Sequence, residues 1–283
     1  MYAYNDCIAD SSISAQTEIR ECLGRLRTRK TVGMPKCSAA NELNVGINAI
    51  PWATWYRIWQ EKGRESMFLV GSSGDLLWTL LCLAGYDSPT ASLSIQEWFA
   101  QIDYVKRTLS LTRDESVFEV GCGAGAFLFG LQRFCRTVGG LDYSRPLLKI
   151  ARQLLRSNDL ITAEAIRLPR SPKYDHVVSH GVFHYFPDEA YAARVVRRMA
   201  AKAVRTVAVL DVNDAARRTE AQEQRRKAYA ENGRPNEELS QLFLDREFFK
   251  MLADDLNCHL RIDESVMRKA ISSTYRYNAF LFK

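Results

Sequence analysis

Val117-Phe118-Glu119-Val120-Gly121-Cys122-Gly123-Ala124-Gly125 decides how this chain reads. An apolar run that breaks into three alternating glycines describes a buried strand turning sharply into a helix, with bare backbone where a ligand comes close. Leu141-Asp142-Tyr143 follows about 20 residues later, where an acid at the end of the next strand can meet a ribose diol. These residues point to a nucleotide-type ligand. With Ala126 the same run also satisfies the dinucleotide fingerprint G-x-G-x-x-A, so glycine spacing leaves two ligand classes open.

The residue before the turn separates them. Glu119, two positions ahead of Gly121, would repel a pyrophosphate seated at the following helix N-terminus and would suit an ammonium. The pattern Glu119-x-Gly121-x-Gly123-x-Gly125 resembles the first motif of class I S-adenosylmethionine (SAM) methyltransferases, whose ligand has an amino-acid tail, a sulfonium and no phosphate. The resemblance runs from about residue 109 to 283. It implies that Asp142 holds the ribose hydroxyls and that Tyr143 packs against adenine. Glu164-Ala165, in the stretch ending Leu168-Pro169, resembles the third-strand motif that holds the adenine edge, with Glu164 in place of the usual Asp. Residues 174–188 resemble the fourth strand and its exit loop, which face the methyl group and the acceptor; Ser179, on the strand, joins the implied cofactor contacts. SAM is the implied cofactor, and no metal is expected.

The implied fold is α/β: a Rossmann-like, seven-stranded, mostly parallel sheet with helices on both faces, plus an N-terminal helical cap. The expected division is a leader over 1–40, a helical cap over 41–108 and a SAM-binding domain over 109–283. Residues 204–210 read as a fifth strand ending at Asp211, Asn213 and Asp214. A helix follows over 245–256, and strands near 259–262 and 275–282 complete the sheet, the last hairpin lying antiparallel beside strand five.

Length and composition fit a compact enzyme: 283 residues, 47% hydrophobic, can bury a sizeable core. No apolar run approaches the roughly 20 residues that span a bilayer. Residues 1–10 are polar and include Asp6 and Asp10, so no secretory or lipidation signal is visible and a cytoplasmic address is expected. Seven cysteines, odd in number and scattered without a C-x-x-C pair, read as reduced thiols.

Residues 20–36 are basic but lack aromatics that would stack on bases, and read as a solvated leader. Trp52, Trp55, Tyr56 and Trp59 differ: they fall on one helical face behind Pro51, either as ordinary core or as a cap over the open end of the nucleotide fold. A buried helix is expected over 75–83. Ser94 and Glu97 form a capping-box pattern that opens another, through about residue 109. Arg217, Arg218, Arg225 and Arg226 lie on a Glu- and Gln-rich helix, read as a solvated face with internal pairs, which Asn232 to Pro235 stops.

Methyl transfer needs a held, aligned nucleophile and, for a protonated acceptor, a base. Leaving strand four, His180, His184 and Tyr185 are the candidate catalytic residues, with His184 the chosen base. Tyr185, Phe183 and the Trp stripe can surround a cation by cation-π attraction. Base-methylating enzymes share a D/N-P-P-Y type motif after strand four; this chain has Ser179-His180-Gly181-Val182. A small-molecule acceptor is therefore expected, amino-acid-derived or a natural-product intermediate, with no nucleic-acid or membrane partner. A protein acceptor stays open, as do two further alternatives: SAM-consuming chemistry other than methylation, by aminocarboxypropyl transfer or by cyclisation with release of methylthioadenosine, and SAM binding without turnover.

Overall fold

A computed structural model describes residues 51–66, 76–231 apart from 87, 89 and 92, 240–267 and 270–283. The expectations for the leader over 1–40, for Cys7, Cys22 and Cys37, for the Trp52 side chain, for a helix start at Asp75 and for the stop signal at Asn232 to Pro235 lie outside these residues.

Three helices, α1 (Pro51–Ser66), α2 (Leu76–Leu83) and α3 (Ile95–Thr108), precede the first strand. There follow β1 (Ser116–Val120), α4 (Ala126–Leu131), β2 (Thr137–Asp142), α5 (Arg145–Leu154), β3 (Leu160–Thr162), β4 (Tyr174–His180), α6 (Glu189–Lys202), β5 (Ala203–Asn213), α7 (Arg218–Glu231), α8 (Arg246–Asp255), β6 (His259–Glu264) and β7 (Arg276–Phe282). The strands form one seven-stranded sheet in the order β3-β2-β1-β4-β5-β7-β6. β1 to β5 pair in parallel, and β7 runs antiparallel between β5 and β6. This is the expected Rossmann-like sheet with the antiparallel hairpin beside strand five.

Alternation along the strands feeds two cores, because successive side chains point to opposite faces. Val117, Val178, Ala208 and Phe280 join one core with α2 to α5; Phe118, Val177, Val207 and Leu281 join the other with α6 and α8. Both faces being covered, β1 is buried at every position, which is why it reads as a near-continuous apolar run. Each fully buried Val or Phe here is worth about 1.5–3 kcal/mol.

The helix signals act as the sequence implies. Ser94 and Glu97 close a reciprocal capping box at the start of α3. Asp188 and Asp245 cap α6 and α8 through the amides of Tyr191 and Glu247. α2 and α3 bury Leu80, Leu81, Trp98, Ile102 and Val105 in the same core as α4 and α5, so they are built into one face of the sheet. Of the segment expected as a cap, α1 is the helix that lies against the ends of the strands.

Two boundaries differ from expectation. β5 extends to Asn213, because pairing with β7 resumes after an irregularity between Val209 and Val212, where Asp211 takes φ +64°. The third-strand motif yields only Leu160–Thr162 as strand; Ala165–Arg167 then coils into a 3-10 turn. Cys122, Cys135 and Cys258 are free thiols. Among the described residues, no helix is long and apolar enough to cross a membrane.

Candidate active site

The strand order reverses between β1 and β4, and at that point the carboxyl ends of parallel strands leave a crevice. A cavity of about 740 Å³ occupies it, in the range of about 300–1,000 Å³ typical of ligand pockets.

Its floor is the glycine turn after β1. Gly121 sits at φ +79° with its amide donating to the Leu141 carbonyl at 2.7 Å, and Gly123 sits at φ +52°. Gly121 needs hydrogen for two reasons: the positive φ, and Val182 Cγ2 lying 2.5 Å from where a Cβ would stand. At Gly123 the nearest atom to a Cβ is Leu147 Cδ1 at 3.8 Å, so the protein leaves that position open. Gly123→Ala is accordingly expected to stay folded and yet bind S-adenosylhomocysteine at least about tenfold more weakly, because its methyl meets ligand rather than protein. Calorimetry beside a melting curve checks both halves.

Two buried carboxyls face this floor. Asp142 accepts from the Gly123 amide through Oδ2 at 2.8 Å and from the Ser144 amide through Oδ1 at 2.7 Å. Each oxygen keeps a lone pair for a diol. Burial pushes Asp142 up to about 6, against the pull of those two amides. Glu119 is held well above the carboxylate range by burial first and by Asp142 second, and its Oε2 is buried without a hydrogen-bond partner. A buried acceptor left unsatisfied costs about 1–3 kcal/mol, a penalty that an arriving ammonium would remove.

α1 packs along the cavity at the β2 end. Gln60 Nε2 donates to the Tyr143 carbonyl, Tyr143 Oη to the Trp55 carbonyl and Ser144 Oγ to the Trp59 carbonyl. The Tyr56 and Tyr143 rings stack at 4.8 Å. Gly63 permits the approach, since a Cβ there would lie 2.9 Å from the Leu147 nitrogen. Trp55 and Trp59 reach Tyr185 at 4.6 and 5.6 Å between ring centres, and Trp55 Nε1 donates to the Ser240 carbonyl.

The exit of β4 forms the opposite wall. His180 lies on the Phe127 ring at 4.8 Å, with Nδ1 3.4 Å from Tyr86 Oη and Nε2 3.4 Å from Gln101 Nε2. Burial lowers it to about 4, so it is neutral at pH 7. His184 is held well below its ordinary range by burial first and then by Arg276, Arg225 and His180; its Nδ1 is buried without a partner. Tyr185 is pushed up to about 12 by burial. At the end of β5, Asp211 Oδ2 pairs with an Arg276 Nη at 2.5 Å, and Arg276 Nε donates to Asn213 Oδ1 at 2.9 Å.

The structure brings together Glu119, Gly121, Gly123, Asp142, Tyr143, Glu164, Ala165, His180, His184 and Tyr185 on the cavity wall. It does not bring Ser179 or Gly125 there. Ser179 is fully buried and its Oγ donates to the Val120 carbonyl at 2.9 Å, tying β4 to β1. Gly125 instead starts α4 at φ +85°, where a Cβ would meet Leu155 Cδ1 at 2.9 Å; its role is packing. His176, near the start of β4, faces Glu115 at 3.4 Å, far along the strand from His180 and His184.

Sequence reading missed Tyr86, Trp98, Phe127, Arg225, Tyr275 and Arg276 as lining residues. Arg276 leaves a signal in hindsight: a charge inside a strand otherwise buried to its penultimate residue. The others come from distant segments and leave none.

Residues 118–208 match the family model described as a methyltransferase domain. Over that segment the chain is similar to methyltransferase domains, and its sheet has the fold of S-adenosylmethionine-dependent methyltransferase structures. The chain is 28% identical over 105 residues to the ubiquinone biosynthesis O-methyltransferase of Alkalilimnicola ehrlichii, covering 35% of this chain and 42% of that protein. It is 33% identical over 85 residues to the human probable tRNA methyltransferase 9B, covering 30% of this chain and 18% of that protein. It thus spans less than half the length of these curated relatives. Among solved structures, magnesium protoporphyrin IX methyltransferase from Synechocystis, with bound SAM, superposes with a TM-score of 0.53 at 15% identity, over 85% of this chain and all of that one. At that identity the likeness concerns the fold.

Proposed function

We propose that this protein is a SAM-dependent methyltransferase acting on a small-molecule acceptor. The observation that carries the cofactor reading is Glu119, a buried carboxyl with an unpartnered oxygen on the wall of a cavity floored by positive-φ glycines and flanked by Asp142. That set fits an ammonium and a ribose. Relatives named for ubiquinone and protoporphyrin methylation support a small acceptor, as does a roof of aromatic side chains over the cavity. The relatives named for tRNA make RNA the contrary outcome to test.

Bound SAM would supply an electrophilic methyl group. Glu119 would hold the ammonium, Asp142 the ribose hydroxyls, and Tyr143 with Ala165 the adenine. Trp55, Trp59 and Tyr185 would exclude water and present ring faces to positive charge. His180 is already engaged by Phe127, Tyr86 and Gln101, so it shapes the wall. His184, neutral and on the cavity, takes the proton from an acceptor hydroxyl or amine. His184→Gln should lower kcat by about 10²–10⁴-fold at neutral pH while S-adenosylhomocysteine affinity holds. An unchanged pH–rate profile in that variant would remove His184 from the base role.

The carboxyls also set a pH dependence. A raised carboxyl is protonated in the free protein below its folded value, whereas a cationic ligand favours the carboxylate. Affinity for S-adenosylhomocysteine should therefore fall as pH drops through about 6, where Asp142 titrates, and binding should release protons. Glu119→Gln should weaken binding by about 1–3 kcal/mol and diminish the proton release, read by calorimetry in buffers of different ionisation heat.

The deciding experiment incubates purified protein with SAM and a metabolite extract and identifies the nucleoside product. S-adenosylhomocysteine with a methylated small molecule supports the proposal. Methylthioadenosine would indicate aminocarboxypropyl transfer or cyclisation, methyl groups on tRNA would indicate an RNA acceptor, and no product would leave a binding protein.

A further inference from the structure

We infer that the acceptor end of the cavity is an anion clamp for a carboxylate, formed by Arg276 and Arg225. This rests on the proposed function and names the chemical class of its acceptor.

Charged side chains of both signs line the cavity, Lys62 of α1 among them. Glu119, Asp142 and Glu164 lie at the end made by β1 to β3; Asp211, Arg276 and Arg225 lie at the end made by β5, β7 and α7. With His180 and His184 neutral, the second end carries one more positive charge than negative. Arg276 is 8% exposed, and among the described residues its guanidinium donates only through Nε to Asn213 and through one Nη to Asp211. The remaining Nη has no acceptor there, on a side chain that lines the cavity. Arg225 is half-buried, lines the same wall and takes no ion pair among the described residues. Both guanidinium groups line the same cavity, and both act electrostatically on His184, Tyr185 and Tyr275.

A purely structural role for Arg276, bracing the irregular β5–β7 pairing through Asp211 and Asn213, accounts for one guanidinium but leaves Arg225 on the same cavity unexplained. Like charges gathered on a partly dry wall repel and cost desolvation, whereas a carboxylate between them gains charge-assisted bonds to a planar fork. Tyr229, Tyr275 and Tyr185 border the same space and give it flat apolar walls. The ligand so described is a small aromatic carboxylate.

The test measures binding of benzoate, salicylate and phenylacetate, each against its neutral amide, to protein saturated with S-adenosylhomocysteine. At least one carboxylate is expected to bind about tenfold or more tightly than its amide. Arg225→Gln should erase that preference while S-adenosylhomocysteine affinity stays within about twofold, and Arg225→Lys should restore part of it. Equal affinity of acid and amide, binding of none of the three acids, or a preference untouched by Arg225→Gln overturns the clamp. Failure of S-adenosylhomocysteine itself to bind wild-type protein overturns the cofactor reading and the clamp with it, so the two failures are told apart at the first titration.

Discussion

Gly121→Val is expected to abolish S-adenosylhomocysteine binding and to lower stability by about 2–6 kcal/mol. Two costs add. A β-branched residue at φ +79° is an outlier costing about 1–3 kcal/mol, and its Cβ would stand 2.5 Å from Val182 Cγ2 and 2.9 Å from Cγ1, an overpacking of about 1–3 kcal/mol or more. Against a net stability of about 5–15 kcal/mol, the variant melts well below wild type. Gly121→Ala separates the two costs. Combined with Val182→Ala, which removes both γ-methyl groups, it should regain most of the packing loss and keep only the backbone strain. If Gly121→Val melts with wild type, the turn is not built as described.

Removal of α1 should have the next largest effect. A chain starting after Ser66 loses Trp55 and Trp59 from the Tyr185 ring, the Tyr56–Tyr143 stack, and the bonds from Gln60, Tyr143 and Ser144 that tie α1 to the end of β2. Water then enters one side of the cavity and Tyr143 loses its support. Turnover should fall by about 10²-fold or more, and S-adenosylhomocysteine affinity should fall with it. A chain lacking only residues 1–40 keeps α1 and should keep activity. Unchanged binding and turnover without α1 would show that the helix is not a roof; loss of folding in the circular-dichroism melt would make it core instead.

Much of the nucleotide end was legible because its chemistry lies in consecutive residues. Glu119, Gly121 and Gly123 share one strand-to-turn segment, and Asp142 ends the next strand, so a local pattern carries a spatial one. The same locality misled at Ser179 and Gly125. Both lie inside motifs, but Ser179 alternates toward Val120 inside the sheet, and Gly125 turns into α4 against Leu155. Motif membership does not record which way a side chain points.

The acceptor end was barely legible. Arg225 looked like one of several solvated charges on an amphipathic helix, and its place on the cavity wall depends on how α7 packs on Phe243 and Tyr275 through Ala221. His180 looked like a base until Phe127, Tyr86 and Gln101, from three separate segments, closed around it and pushed it down to about 4.

By itself the sequence determined the strand-turn-helix that begins the nucleotide fold, the acid at each of the first two strand ends and the α/β class, because glycine sterics and apolar periodicity are properties of neighbouring residues. Only the tertiary structure decided which carboxyls are dry, which imidazoles stay neutral and which arginines line the cavity. Burial and charge pairing are set by residues far apart in the chain, and no local pattern encodes them.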